Sequence, residues 1–382
     1  MKSYITSIGI ANPENSISQD KAVEFMSENL ELEASEERKL RAIYRSSGID
    51  NRYSVLQDFG RERGDYSFFP NEKHCNFPTV LQRMLAYEQS ASALAVSAVM
   101  NCINSEVLPT ITHLITVSCT GMFAPGLDIE LIDKLGLKTN IQRLAINFMG
   151  CYAAFNALKA GDAICKSDHQ AKVLIVCVEF CTLHFQKNSA LDHMISNAIF
   201  GDGAAAVLLE PKLEKCFGLS LESFYCDIAS EGKKDMAWHI SDFGFEMTLS
   251  SYVPSMIHGG IRKLTENLFL HLDMGFEEIK YFAIHPGGRK ILEAIESALG
   301  LSKQDNRYAY EVLKNYGNMS SPTVLFVLQK IFYELKALNK EENILSFAFG
   351  PGLTMESMVL KACVNPEREC LTEIFSANAA KS

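Results

Sequence analysis

Apolar and polar residues alternate along this chain with two rhythms. Positions 112–118, 144–148 and 172–178 are short, nearly continuous apolar runs of strand length. Between and after them, residues 88–104, 151–161 and 289–299 carry apolar side chains at helical spacing. Strands alternating with helices predict an α/β fold. A softer junction lies at Glu210-Pro211-Lys212, and the residues after Cys370 are small or polar and expected to be loose. The chain carries no low-complexity segment, short-period repeat or Pro/Ser-rich linker.

Composition narrows the picture. With 382 residues, 47% of them hydrophobic, the chain can bury one large core or two fused half-domains. No apolar run approaches membrane-spanning length, and the N-terminus lacks a basic-then-apolar leader, so a cytoplasmic protein without membrane insertion is expected. A formal net charge of −10 argues against nucleic acid or an anionic membrane as partner. The 11 cysteines are scattered, and an odd count without a secretory leader argues against a disulfide scaffold. Cys177, Cys181 and His184 suggest a metal site, but paired Cys-x-x-Cys spacing and a fourth ligand are missing, so no metal is expected.

Three residues carry candidate chemistry. Cys151 stands where the apolar run at 144–148 breaks at Gly150 into a helical pattern. A thiol there faces unpaired N–H groups and the positive end of a helix dipole, which favour a thiolate. His285 follows the apolar Tyr281-Phe282-Ala283-Ile284 and precedes Pro286-Gly287-Gly288, a turn that admits a close substrate. Asn318 sits behind Gly317, ahead of a helical run beginning at Thr323. Each has an ordinary reading too: Cys as core filler, His as a satisfied core residue, Asn as a helix cap. Together, a Cys with distant His and Asn is what a fold-assembled nucleophilic site requires.

Gly150-Cys151, Ile284-His285-Pro286-Gly287-Gly288 and Gly317-Asn318-Met319-Ser320-Ser321 resemble the Cys-His-Asn site of the type III polyketide synthases, the chalcone-synthase-like branch of the thiolase superfamily. Thr6 to Pro13, Phe200-Gly201-Asp202-Gly203, Gly244-Phe245 and Phe349-Gly350-Pro351-Gly352 agree in order, so the resemblance covers almost the whole chain. It implies a thiolase fold, five-layered αβαβα, with one half over 1–211 carrying the Cys and the other over 212–382 carrying His and Asn. It also implies a homodimer, acyl-CoA and malonyl-CoA as substrates, and no cofactor. Cys151 would attack an acyl-CoA starter, helped by an ion pair with His285. His285 and Asn318 would stabilise the enolate left by malonyl decarboxylation, and the N–H of Cys151 with the Gly350-Pro351-Gly352 loop would hold the tetrahedral oxyanion.

By the same resemblance, Lys39 falls in the CoA-phosphate segment, where Arg41 and Arg45 are expected to help from neighbouring positions, with Gly287 and Gly288 beside the thioester. Phe200 matches an aromatic gatekeeper. Met247 stands for a second one, and Cys119, Thr120, Cys181, His184, Trp238 and Ser320 are expected in the pocket. Trp238 and the run from Glu179 to Gln186 look more like microbial than plant members. An aliphatic starter and a pyrone or resorcinol product are expected, with phloroglucinol close behind. Rival readings are a β-ketoacyl-acyl-carrier-protein synthase III, a hydroxymethylglutaryl-CoA synthase whose Glu acid/base has no match here, and a non-catalytic thiolase-fold binding protein.

Overall fold

The computed structural model describes residues 2–368, apart from Lys73 and His271; the segment after Cys370 lies outside the described residues. Its strands are β1 (Tyr4–Ala11), β2 (Asn15–Ser18), β3 (Asn51–Ser54), β4 (His113–Ser118), β5 (Gln142–Asn147), β6 (Val173–Phe180), β7 (Asp202–Glu210), β8 (Phe217–Ile228), β9 (Met236–Ser241), β10 (Gly244–Leu249), β11 (Ile279–Ile284), β12 (Asn343–Gly350) and β13 (Thr354–Val364). Its helices are α1 (Gln19–Leu30), α2 (Ala34–Ser46), α3 (Val80–Cys102), α4 (Leu127–Leu135), α5 (Ala153–Ser167), α6 (Leu191–Ile199), α7 (Val253–Phe269), α8 (Arg289–Leu299), α9 (Arg307–Tyr316) and α10 (Thr323–Leu338).

Nine strands hydrogen-bond in the order β11-β12-β13-β8-β1-β7-β6-β4-β5. Within this sheet one pattern occurs twice. From β1 through β7 and β6 to β4 the pairings are antiparallel, antiparallel and parallel. From β8 through β13 and β12 to β11 they are the same. The halves join through the short antiparallel contact Tyr4 with Ser220 and Ile5 with Leu219. Helix α5 packs on β4, β6 and β7 but also reaches β13, and α10 packs on β11 and β8 but also reaches β1. These two helices therefore form the central layer. Helix α3 covers the outer face of the first half, and α7, with α8 packed on it, covers that of the second. The result is the five-layered α/β arrangement of a thiolase fold with two similar halves.

Burial on both faces explains the unbroken apolar runs of the inner strands. In β6, Val173, Ile175 and Cys177 join the core around α5 and α10, while Leu174, Val176 and Val178 join the core under α3. Each fully buried aliphatic side chain contributes about 1.5–3 kcal/mol. Strand β5 differs: it is the sheet edge and mostly exposed, with Leu144 42% accessible.

Some boundaries shift from the sequence pattern. Helix α3 starts at Val80 instead of 88 because Thr79 and Gln82 form a capping box there. Helix α5 runs past Gly161 to Ser167, the glycine packing against Leu209, Ile175 and Val173. Among the described residues no helix is long and apolar enough to cross a membrane.

Candidate active site

Two close backbone approaches shape the turn that presents Cys151. After β5 the chain passes through Phe148 at φ +62° and Gly150 at φ +84°, and α5 begins at Ala153. A methyl group on Gly150 would lie 2.2 Å from Cδ of Pro351, so glycine is required by both backbone angle and space. The Gly150 N–H donates to Sγ of Cys119 at 2.9 Å, tying the turn to the loop after β4. Cys151 itself is 8% accessible.

His285 and Asn318 reach the same place from the other half. His285 follows β11, and its N–H donates to the Phe347 carbonyl on β12 at 2.8 Å. Both of its ring nitrogens are buried without a hydrogen-bond partner, free to meet a ligand. Asn318 is held across the halves: its N–H donates to the Ile199 carbonyl (2.8 Å) and its carbonyl accepts from Gly201 N–H (2.9 Å). Its Oδ1 accepts from the Ser320 N–H at 2.8 Å, while Nδ2 donates to the Gly287 carbonyl at 3.3 Å. Ser320 adopts φ +58° to make that contact. The Cys151 sulfur lies 3.9 Å from Oδ1 of Asn318 and 4.0 Å from Nδ2.

Burial opposes one expectation here. Burial pushes the Cys151 thiol up to about 12, only partly opposed by the Ser320 hydroxyl. Burial alone pulls the His285 imidazole down to about 3. No hydrogen bond joins the two side chains. Burial therefore works against the thiolate–imidazolium pair expected from sequence, since it favours the neutral form of each group.

Two adjoining cavities meet at these residues. The smaller, of about 370 Å³, is lined by Cys151, His285, Gly287, Asn318 and Gly350 among others. The larger, of about 840 Å³, is lined by Cys119, Thr120, Cys181, His184, Trp238 and Ser320 among others. Cys151, Phe200, Met247 and Pro351 border both. A thiol between two cavities, beside an imidazole and an amide, suits acyl transfer followed by carbon–carbon bond formation.

Family models for the N-terminal and C-terminal domains of chalcone and stilbene synthases match residues 1–211 and 220–364. The chain belongs to the chalcone and stilbene synthase family. It is thereby a type III polyketide synthase, an enzyme of the acyltransferase class. A probable polyketide synthase 1 of Dictyostelium discoideum is 29% identical over 95% of this chain, which spans only 12% of that protein's length. An alpha-pyrone synthesis polyketide synthase-like Pks18 of Mycobacterium tuberculosis is 27% identical over 93% of this chain and 90% of its own length. Among solved structures, PKS-I from the brown alga Ectocarpus siliculosus superposes with a TM-score of 0.87 at 29% identity, covering 95% of this chain and 98% of that one. The C-terminal type III domain of Steely1 from Dictyostelium reaches 0.85 at 27% identity, covering 94% of this chain and 99% of that domain.

Not every residue singled out from sequence lines these cavities. Gly352 and Gly288 border neither. Lys39, Arg41 and Arg45 lie on α2, outside both, and Arg41 pairs with Glu37 at 2.8 Å. Trp238 does more than fill space, since its Nε1 donates to the Cys119 carbonyl at 2.8 Å. His184 is a strut in this type III enzyme: Nδ1 accepts from the Phe245 N–H at 3.0 Å, so Nε2 donates to the Thr120 carbonyl at 2.7 Å. Burial lowers its pKa to about 3 and keeps it neutral, and both nitrogens are committed, which leaves nothing for a metal.

Other residues escaped the sequence reading. Phe245 stacks on His184 at 4.2 Å and lines the larger cavity; its Gly244-Phe245 motif had carried no role. Buried Glu179 accepts from the Cys119 N–H (2.8 Å), the Thr120 hydroxyl (2.8 Å) and the Ser321 hydroxyl (2.7 Å). Burial raises its pKa. A single Glu in an apolar run was the only available signal. Arg52 and Ser196 also line the larger cavity, and neither stands in a recognisable motif.

Proposed function

We propose that this enzyme loads an aliphatic acyl group from acyl-CoA onto Cys151, extends it with malonyl-CoA, and cyclises the product to a pyrone or resorcinol. The observation that carries this reading is the convergence of Cys151, His285, Asn318 and Gly287 on one small cavity that adjoins a larger one past Phe200 and Met247. The unpartnered His285 ring and the Asn318 amide face the place where a thioester oxygen gains negative charge as malonate loses CO2. The resulting carbanion attacks the acyl group on Cys151, and each round lengthens a poly-β-keto chain. The larger cavity includes Ile17, Ala22, Met26, Phe59 and Phe185, an apolar lining that supports an aliphatic starter.

CoA phosphates are assigned to α2 through Lys39, Arg41 and Arg45. Support comes from the packing of α2 on α6, whose side chains line the larger cavity. The reaction needs no cofactor, since both carbon units arrive as thioesters. The functional division is 1–211 and 212–382, and the working unit is a cytoplasmic homodimer. The exposed edge strand β5, with Leu144 accessible, supports self-association. Incubating purified protein with labelled malonyl-CoA and a ladder of acyl-CoA starters, with products identified by mass, tests the reading. Lactones or resorcinols bearing the starter chain are expected. Labelled phloroglucinol irrespective of starter would replace the aliphatic assignment, and no decarboxylation at all would overturn the function.

A further inference from the structure

Helix α6 turns His193, Ser196 and Asn197, at i, i+3 and i+4 spacing, to the larger cavity, and Phe200 just after its end lines the same cavity. Three of the four are polar, in a cavity whose other walls mix apolar side chains with Thr120, Thr182, His184, Gln186 and Ser320. The Ser196 hydroxyl is buried, its residue 7% accessible, and has no hydrogen-bond partner. A serine in a helix ordinarily satisfies itself on the carbonyl one turn back, and this one does not. Beside it lies a buried cation. Arg52 donates to the Asn197 carbonyl at 2.7 Å, to the Phe200 carbonyl at 2.6 Å and to Oε1 of Gln19 at 3.0 Å; it forms no ion pair within 4 Å among the described residues, and the buried Asp202 carboxylate interacts with it at longer range.

We infer that this face is a subsite for the carbonyl oxygens of the growing poly-β-keto chain, with the Ser196 hydroxyl as the hydrogen-bond donor and Arg52 as the positive background. The inference rests on the polyketide-extending reading above. Position along the cavity favours the keto segment over the starter's tail. Phe200 bridges to Asn318 and so marks the reacting end. Ser196 is tied to it directly, its carbonyl accepting from the Phe200 N–H at 3.1 Å. Chain extension inserts each new two-carbon unit next to the sulfur, so oxygen-bearing carbons stay nearest the reacting end while the starter's tail is displaced away from it. A hydrocarbon against Ser196 would leave a buried hydroxyl unsatisfied, whereas a carbonyl oxygen or its enolate satisfies it.

Binding of a non-reacting probe tests this without turnover. A pantetheine thioether ending in a β-diketone, and its alkyl counterpart of equal length, are titrated into Cys151→Ala protein with and without Ser196→Ala or Ser196→Thr. The diketone should bind about two- to tenfold more weakly once the hydroxyl is gone, the loss of one net hydrogen bond, and Thr should restore it. The alkyl probe should bind as well or better in Ser196→Ala. Diketone affinity that is unchanged or raised in Ser196→Ala overturns the subsite. The proposed function fails separately, if wild-type enzyme does not decarboxylate malonyl-CoA, so the two outcomes are distinguishable. Thermal melting of each variant checks the fold, and a Ser196→Ala effect confined to melting, with probe affinities intact, also overturns the subsite.

Discussion

Gly150→Ala tests whether the nucleophile turn is pressed against the Gly350-Pro351-Gly352 loop. The added Cβ meets two separate penalties. At φ +84° it enters a region that costs an L-residue roughly 1–2 kcal/mol. It would also lie 2.2 Å from Cδ and 2.9 Å from Cγ of Pro351, far inside van der Waals contact. Relieving that overlap moves the turn or the loop, an overpacking cost of about 1–3 kcal/mol. The combined loss is about 2–5 kcal/mol, and Cys151 shifts with the turn. Replacing Pro351 by Ala removes Cδ and Cγ while leaving the backbone nitrogen, 3.6 Å from the new methyl, at ordinary contact distance. The double variant should therefore recover the steric part and keep the backbone part, with a coupling of at least about 1 kcal/mol. Urea denaturation of the four proteins, read by fluorescence and circular dichroism, measures the cycle, and acylation of Cys151 by acyl-CoA reports the turn's position. Strict additivity in stability, together with normal acylation in Gly150→Ala, would refute the argument that this contact positions the nucleophile.

Cys151→Ala should abolish product formation without unfolding the protein, and mass spectrometry should find the acyl adduct on the Cys151 peptide; an adduct elsewhere would move the nucleophile. His285→Ala and Asn318→Ala should each slow malonyl-CoA decarboxylation by roughly a hundredfold or more, the effect of losing one donor to a developing oxyanion, as measured by CO2 release. With the thiol raised to about 12, its unligated thiolate fraction grows as pH rises toward that value. Iodoacetamide alkylation of Cys151 should accordingly climb across pH 6–10, and a plateau below about pH 8 would reinstate the ion pair with His285. Trp238→Gly should admit bulkier starters, because the indole lines the larger cavity, whereas Trp238→Phe keeps most of the bulk and loses only the bond to the Cys119 carbonyl. That loss should cost about 1 kcal/mol of stability with the starter profile unchanged. Equal starter profiles in wild type and Trp238→Gly would remove Trp238 from the cavity wall.

Much of this protein was legible before any coordinates. Strands β4 and β6 are buried on both faces, so their apolar runs at 112–118 and 172–178 announce themselves, and α8 occupies the 289–299 expected from its helical stripe. The motifs around Cys151, His285 and Asn318 carry the family, because glycines demanded by local geometry sit beside the reactive side chains. Gly150 and Gly317 both have positive φ and neighbours within 3 Å of a would-be Cβ. What only the tertiary structure decided depends on groups far apart in sequence. Burial pushes the Cys151 thiol up and the His285 imidazole down, an influence that a dipeptide cannot express. The strut made by His184, the Trp238 bond to Cys119 and the unpaired hydroxyl of Ser196 are likewise set by what folding brings opposite each side chain. Periodicity and turn chemistry are local and can be read along a chain, whereas desolvation and hydrogen-bond satisfaction exist only once distant segments have closed around a group.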